Sequence, residues 1–154
     1  MIRAFFLKVM KTRIVARVII YNKKKVLLCK NKNADFWYPP GGGWEDNENL
    51  VECCKREVAE EVGMKVDIKD IMYVQEFYLK TEDKRNLELF FLAHLEADSG
   101  KFLQKNGDKE SRWFSREDMA TINVKPIFMR DRLWIDLEKF DKNKRIYWKT
   151  KEDE

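Results

Sequence analysis

The chain has 154 residues, 44% of them hydrophobic and 38% charged, a balance that suits one globular domain with a buried core and excludes a disordered chain. Its 31 Lys and Arg stand against 27 Asp and Glu, and the net charge of +4 is not gathered into a basic stripe, which argues against nucleic acid as the partner. Three cysteines (Cys29, Cys53, Cys54) without CxxC spacing exclude a disulfide framework and a zinc site, and no apolar run approaches the roughly 18 residues of a membrane span.

The opening Met1 to Leu7 is apolar, but Lys8 and Lys11 cut it short, and it lacks the core and cleavage site of a signal peptide. A reducing, cytoplasmic location is the expectation. Ile14 to Tyr21 is β-branched and almost wholly apolar, the composition of a buried strand. The polar turn Asn22 to Lys25 and a second strand, Val26 to Cys29, complete a hairpin. Arg17 interrupts the first strand; it reaches solvent at a strand end or points into a phosphate site.

After a polar loop come Phe36-Trp37-Tyr38 and Pro39-Pro40-Gly41-Gly42-Gly43, punctuation that marks a backbone path few residues can follow. The spacing then predicts a helix from Asn49 to Val62. Asn49 and Glu52 form a capping box, Gly63 suits a left-handed terminus, and Val51, Cys54, Val58 and Val62 make the apolar stripe. At about 100° per residue, Glu57, Glu60 and Glu61 share another flank of that helix. Such crowding is either a solvated acidic face or a grip for a divalent cation, which would remove the repulsion between the carboxylates.

Ile71 to Leu79 and Leu87 to Leu95 read as paired strands around the polar turn 80–86, with Glu88 breaking the second. Single His94 reads as a partly exposed strand histidine without a metal or triad role. A polar loop from Ser99 to Lys109 precedes a short strand, Glu110 to Phe114. Ser115 caps a short helix through Ala120, and Pro126 opens a last helix with Ile127, Arg130, Leu133, Trp134 and Leu137 at helical spacing. No repeat or second domain is evident, so 1–154 reads as one domain with a frayed tail from Lys149.

The stretch Gly42–Met64 resembles the signature of the Nudix hydrolases: Gly42, five residues, Glu48, seven residues, then Arg56-Glu57-Val58-Ala59-Glu60-Glu61-Val62-Gly63-Met64. Every specified position is filled. The Trp37-x-x-Pro40-Gly41-Gly42 lead-in and the flanking strands are similar to that family's layout. The resemblance implies an α/β fold, a mixed sheet packed between helices as an α/β/α sandwich, with the signature as a loop–helix–loop. It implies Mg²⁺ or Mn²⁺ on Glu57, Glu60 and Glu61 with the Gly41 carbonyl, hard oxygen donors suited to such ions. Arg56 would hold the glutamates in place and Glu48 would support the loop.

The resemblance further implies hydrolysis of a phosphoanhydride bond in a nucleoside diphosphate linked to another moiety, ADP-ribose-like or a nucleotide sugar. The alternatives are a nucleoside triphosphate pyrophosphohydrolase and a non-catalytic nucleotide- or RNA-binding module. Glu57 is the first choice of base; Glu110 is either a second candidate, swinging in from a loop, or an exposed strand-edge acid. Gly42 and Gly43 would admit the phosphates closely, and Arg17, Trp37 and Glu88 are candidates for the substrate pocket. Phe36, Trp37, Tyr38, Phe77 and Tyr78 either stack on a base or belong to the core. The family's ADP-ribose hydrolases often carry a proline where Leu79 stands, and its dinucleoside-polyphosphate hydrolases a tyrosine near Thr81, so neither marker is present. A homodimer is a further expectation from relatives that pair.

Overall fold

A computed structural model describes residues 11–140; the expectations for the apolar opening and for the tail from Lys149 lie outside the described residues. The chain runs β1 (Lys11–Asn22), β2 (Lys25–Asn31), β3 (Gly41–Gly43), α1 (Leu50–Val62), β4 (Val66–Leu79), β5 (Lys84–Leu95), β6 (Lys105–Asn106), β7 (Lys109–Phe114), α2 (Arg116–Ala120) and α3 (Phe128–Phe140). One mixed sheet has the order β4-β5-β1-β2-β7-β6, with β3 paired to β1 beside that path. β1 lies parallel to β5, while the other pairings are antiparallel.

Side chains alternate across β1, and each set meets a different layer. Ala16, Val18 and Ile20 join Cys53, Cys54, Val58 and Val62 of α1 in one core. On the reverse face Ile19 joins Tyr73, Phe90, Met119 of α2 and Leu133 of α3 in the other. The architecture is therefore a mixed sheet between helices, as the signature implied.

Local chemistry explains the element ends. Lys23 and Lys24, both at positive φ, form the two-residue turn between β1 and β2. The Asn49–Glu52 capping box starts α1, and Gly63 at φ 68° ends it with its N–H donated to the Ala59 carbonyl. Ser115 and Asp118 cap α2 in the same manner.

Several expectations change: β4 begins at Val66, ahead of the expected Ile71, and β6 forms inside the expected loop from Ser99 to Lys109. Val51 is exposed, because the buried face of α1 is rotated toward Cys53 and Glu61 and includes an acid. Strand β5 begins at Lys84, so the turn after β4 is shorter than the polar run suggested. Helix α3 starts at Phe128, two residues beyond Pro126, and Ile127 is exposed ahead of it. His94 is half-buried on β5, with Nδ1 3.4 Å from the Tyr21 carbonyl.

Candidate metal and active site

Helix α3 covers one end of the sheet face that carries Ile19, Tyr73 and Phe90. The other end opens as a cleft of about 500 Å³. Its floor comes from alternating positions of three strands: Arg13, Val15 and Arg17 of β1, Asn86 and Glu88 of β5, and Gln75 and Phe77 of β4. Strand β3 and helix α1 form a wall bearing Gly41, Gly42, Gly43, Glu57 and Glu61, while Phe36, Tyr38, Lys109 and Lys125 stand around the mouth.

The glycines allow this wall to sit where it does. Gly41, at φ 147°, lies so near β1 that a Cβ would stand 2.0 Å from the Ala16 carbonyl oxygen. A Cβ on Gly42 would come within 2.3 Å of Glu57 Oε1. The glycine run thus lets the chain pair with β1 while a carboxylate of α1 presses against its back.

Arg56 organises the signature helix. Its Nε and Nη2 donate to the two Glu48 oxygens at 2.8 and 2.7 Å, Nη1 donates to Glu57 at 2.8 Å and Glu60 at 3.4 Å, and Nη2 reaches the Gly43 carbonyl at 3.2 Å. One planar cation therefore ties the loop before the helix to two of its acids, a geometry lysine cannot reproduce. The Arg56 hydrogen bond is the main reason the Glu48 carboxyl is held down to about 2, and Glu48 in turn keeps the Arg56 guanidinium above its ordinary value.

The three helix glutamates occupy different surroundings. Glu61 is buried at 7% exposure, accepts from the Gly41 N–H at 3.2 Å and is ion-paired with Lys109. Burial works against the Lys109 ammonium, yet the hydrogen bond and charge of Glu61 outweigh it and raise its pKa. Glu57 is mostly buried beside Gly42. Glu60 is 59% exposed and lies outside the cleft lining, joined to the cluster through Arg56.

The alternatives left open for Arg17 are narrowed. It turns into the cleft, donating to Glu88 at 3.1 and 3.3 Å and to the Gly41 carbonyl at 3.2 Å, with its guanidinium 5.4 Å from the Tyr38 ring centre. Glu88 is 5% exposed and lines the same floor. Phe36, Tyr38 and Phe77 reach the cleft.

Besides Glu60, two expected site residues lie outside the cleft. Trp37 is 7% exposed and packs edge-on against Phe114 at 4.8 Å, so it belongs to the core and not to a substrate pocket. Glu110 is not in the cleft: strand alternation puts its neighbour Lys109 there, and Glu110 pairs instead with Arg112 at 2.5 Å. The sequence reading missed Lys109, Arg13, Gln75 and Asn86. Period-two counting from Arg17 to Arg13 and from Glu88 to Asn86 would have reached two of them.

The chemistry of the donor set fits a hard divalent cation: Glu57 and Glu61 are one helical turn apart on the cleft wall, and the Lys109 ammonium already serves Glu61 as a cation. As arranged, each faces an internal cation, and among the described residues no three acid, His or Cys side chains converge on one point. A metal ion would therefore compete with Arg56 and Lys109 for these oxygens. No helix among the described residues is long and apolar enough to cross a membrane.

Comparison with known proteins agrees with this architecture. The 8-oxo-dGTP diphosphatase of Buchnera aphidicola is 31% identical over 117 residues, covering 73% of this chain and 83% of that protein. The m7GpppN-mRNA hydrolase of Saccharomyces cerevisiae is 30% identical over 100 residues, 64% of this chain, but the match spans only 10% of the yeast protein's length. Among solved structures, a UDP-X diphosphatase superposes with a TM-score of 0.71 at 20% identity, covering 89% of this chain and 66% of that one. An ADP-ribose pyrophosphatase of Streptococcus suis gives 0.67 at 21% identity, covering 90% and 98%. At those identities the likeness speaks for the fold. The family model described as NUDIX domain matches residues 11–139, nearly the whole described chain, and with the signature helix in place the chain belongs to the Nudix family.

Proposed function

We propose that the chain hydrolyses a phosphoanhydride bond in a nucleoside diphosphate linked to a further group, ADP-ribose-like or a nucleotide sugar, with Mg²⁺ or Mn²⁺. The observation that carries the reading is the meeting, in one cleft, of the signature carboxylates Glu57 and Glu61 with the cations Arg13, Arg17 and Lys109. Acids alone would repel a diphosphate, and cations alone would bind it without activating water. Glu57, Glu60 and Glu61, with the Gly41 carbonyl, are the groups that would hold the metal. When bound, it supplies neutralisation of the diphosphate oxygens and a more acidic water.

The chain's own residues do the rest. Arg17 and Arg13 meet the phosphate charge, and the glycines of β3 let the diphosphate approach the backbone. Glu57 takes the proton of the attacking water as its oxygen bonds to phosphorus and the bridging oxygen departs with the leaving phosphate. Arg56 keeps Glu57 aimed across the cleft wall. A cytoplasmic setting is consistent with Cys29, Cys53 and Cys54 being free thiols.

A second reading, a nucleoside triphosphate pyrophosphohydrolase, is favoured by the likeness to the Buchnera diphosphatase over most of its length. Products separate the two: pyrophosphate from a triphosphate, two monophosphates from an ADP-ribose-like compound. The deciding assay is a panel of nucleotide derivatives with Mg²⁺ and Mn²⁺, read as phosphate after phosphatase coupling. Hydrolysis should disappear in Glu57→Gln and fall sharply in Glu60→Gln while the fold survives. Full activity in both variants rejects Glu57 and Glu60 as the groups the reaction needs, and no hydrolysis of any nucleotide by wild type rejects catalysis in favour of a binding module.

A further inference from the structure

The floor of the cleft holds two amide side chains that the catalytic reading does not use. Gln75 is 2% exposed and Asn86 is 7% exposed. Among the described residues, Gln75 Oε1 and Asn86 Oδ1 are buried side-chain oxygens without a hydrogen-bond partner. A buried acceptor left unmatched is unfavourable, and its partner is an ordered water, an ion or, in a ligand-sized cleft, a donor on the ligand.

Register sets the two amides side by side. Gln75 lies opposite Glu88 and Phe77 lies opposite Asn86, so Gln75 and Asn86 are diagonal neighbours on one face of the β4–β5 pair. Long side chains at such positions reach a common ligand. The terminal amide torsion is soft, so each oxygen can turn to meet a donor. Neighbouring Glu88 is already engaged by Arg17. Phe77, beside Asn86, and Phe36 supply the apolar surface on which a flat ring rests.

We propose that Gln75 and Asn86 read the base of the substrate, and that the base is guanine. This rests on the nucleotide reading of the cleft and narrows it from ADP-ribose-like compounds to guanosine nucleotides. Two adjacent acceptors call for an edge with two adjacent donors. Guanine offers its ring N1–H and 2-amino group together; adenine and cytosine present a single amino group on that edge, and hypoxanthine and uracil a single ring N–H.

The test is equilibrium binding of GDP, IDP and ADP to the full chain by calorimetry, for wild type, Gln75→Met and Asn86→Leu. Wild type should bind GDP roughly ten- to a hundredfold more tightly than IDP, which lacks only the 2-amino group, and than ADP. Each variant should lose most of that preference. Each should also melt at or above the wild-type temperature, because an unmatched buried acceptor has been removed. Equal affinity for GDP and IDP in wild type, an unchanged preference in both variants, or no binding of any of the three at millimolar concentration overturns the assignment. The measurement needs no turnover. Guanine preference without hydrolysis removes the catalytic reading and leaves this one, while hydrolysis without base preference does the reverse.

Discussion

Replacing Lys109 with Met separates the protein's internal cation from any metal it takes. In wild type the Lys109 ammonium faces Glu61, a carboxylate 7% exposed, and is itself 34% exposed. Removing one partner of a fully buried pair costs about 3–5 kcal/mol, because the other charge is left uncompensated. Lys109 is a third exposed, so solvent screening reduces the expected loss to about 2 kcal/mol. For a chain of this length that corresponds to a fall in Tm of about 4–8 °C. The Gly41 N–H still reaches Glu61 at 3.2 Å, which keeps the loss from being larger. Magnesium should then return stability selectively. A cation bound with a Kd of about 1 mM contributes about 1.4 kcal/mol at 10 mM, and in the variant it no longer has to displace an ammonium. The assay is thermal melting at low ionic strength with EDTA or 10 mM MgCl₂, on wild type, Lys109→Met and the double variant Lys109→Met/Glu61→Gln. The double variant should recover most of the loss without metal. A Lys109→Met protein as stable as wild type in EDTA, or a magnesium-induced shift no larger than that of wild type, refutes the reasoning.

Gly42→Ala should cut hydrolysis by more than tenfold with a modest fall in Tm, since its Cβ would meet Glu57 Oε1 at 2.3 Å and turn that carboxylate from the cleft; an unchanged rate in a steady-state assay counts against Glu57. The Glu48 carboxyl, held at about 2 by Arg56 against an ordinary 4.5, favours the folded state above pH 4.5, and this contribution is lost as pH falls toward 2. Urea midpoints of wild type and Glu48→Gln should therefore converge on acidification across that window, and a gap that stays constant denies the ion pair its role. Burial pushes the Cys29, Cys53 and Cys54 thiols up to about 12, so a thiol reagent at pH 8 should label none of them until urea unfolds the chain. Rapid labelling of native protein would contradict the packing of α1.

Period and punctuation carried the fold in the sequence. Asn49 with Glu52 and Gly63 named both ends of α1, because capping is chemistry confined to a few neighbouring residues. Val51 misled for a related reason: helical spacing reports which residues share a stripe, not how the helix is turned toward the sheet, and the buried face of α1 is rotated toward Cys53 and Glu61. The signature likewise put Arg56, Glu57 and Glu61 on one element, whereas Lys109 comes to Glu61 from 48 residues away, a pairing that no local pattern contains. Glu110 shows how narrow the margin is. In a strand, one residue of register decides the face, and the loop before β7 gave no means of fixing which of Lys109 and Glu110 would point inward. The same alternation, once the floor is known, makes Arg13, Arg17, Gln75, Asn86 and Glu88 one surface. A polar residue inside an apolar strand is thus legible as an anomaly from sequence, but only the pairing of strands tells which anomalies face each other. The signature supplies the acids that the chemistry requires. The cross-strand neighbours that line the floor of the cleft lie outside the motif.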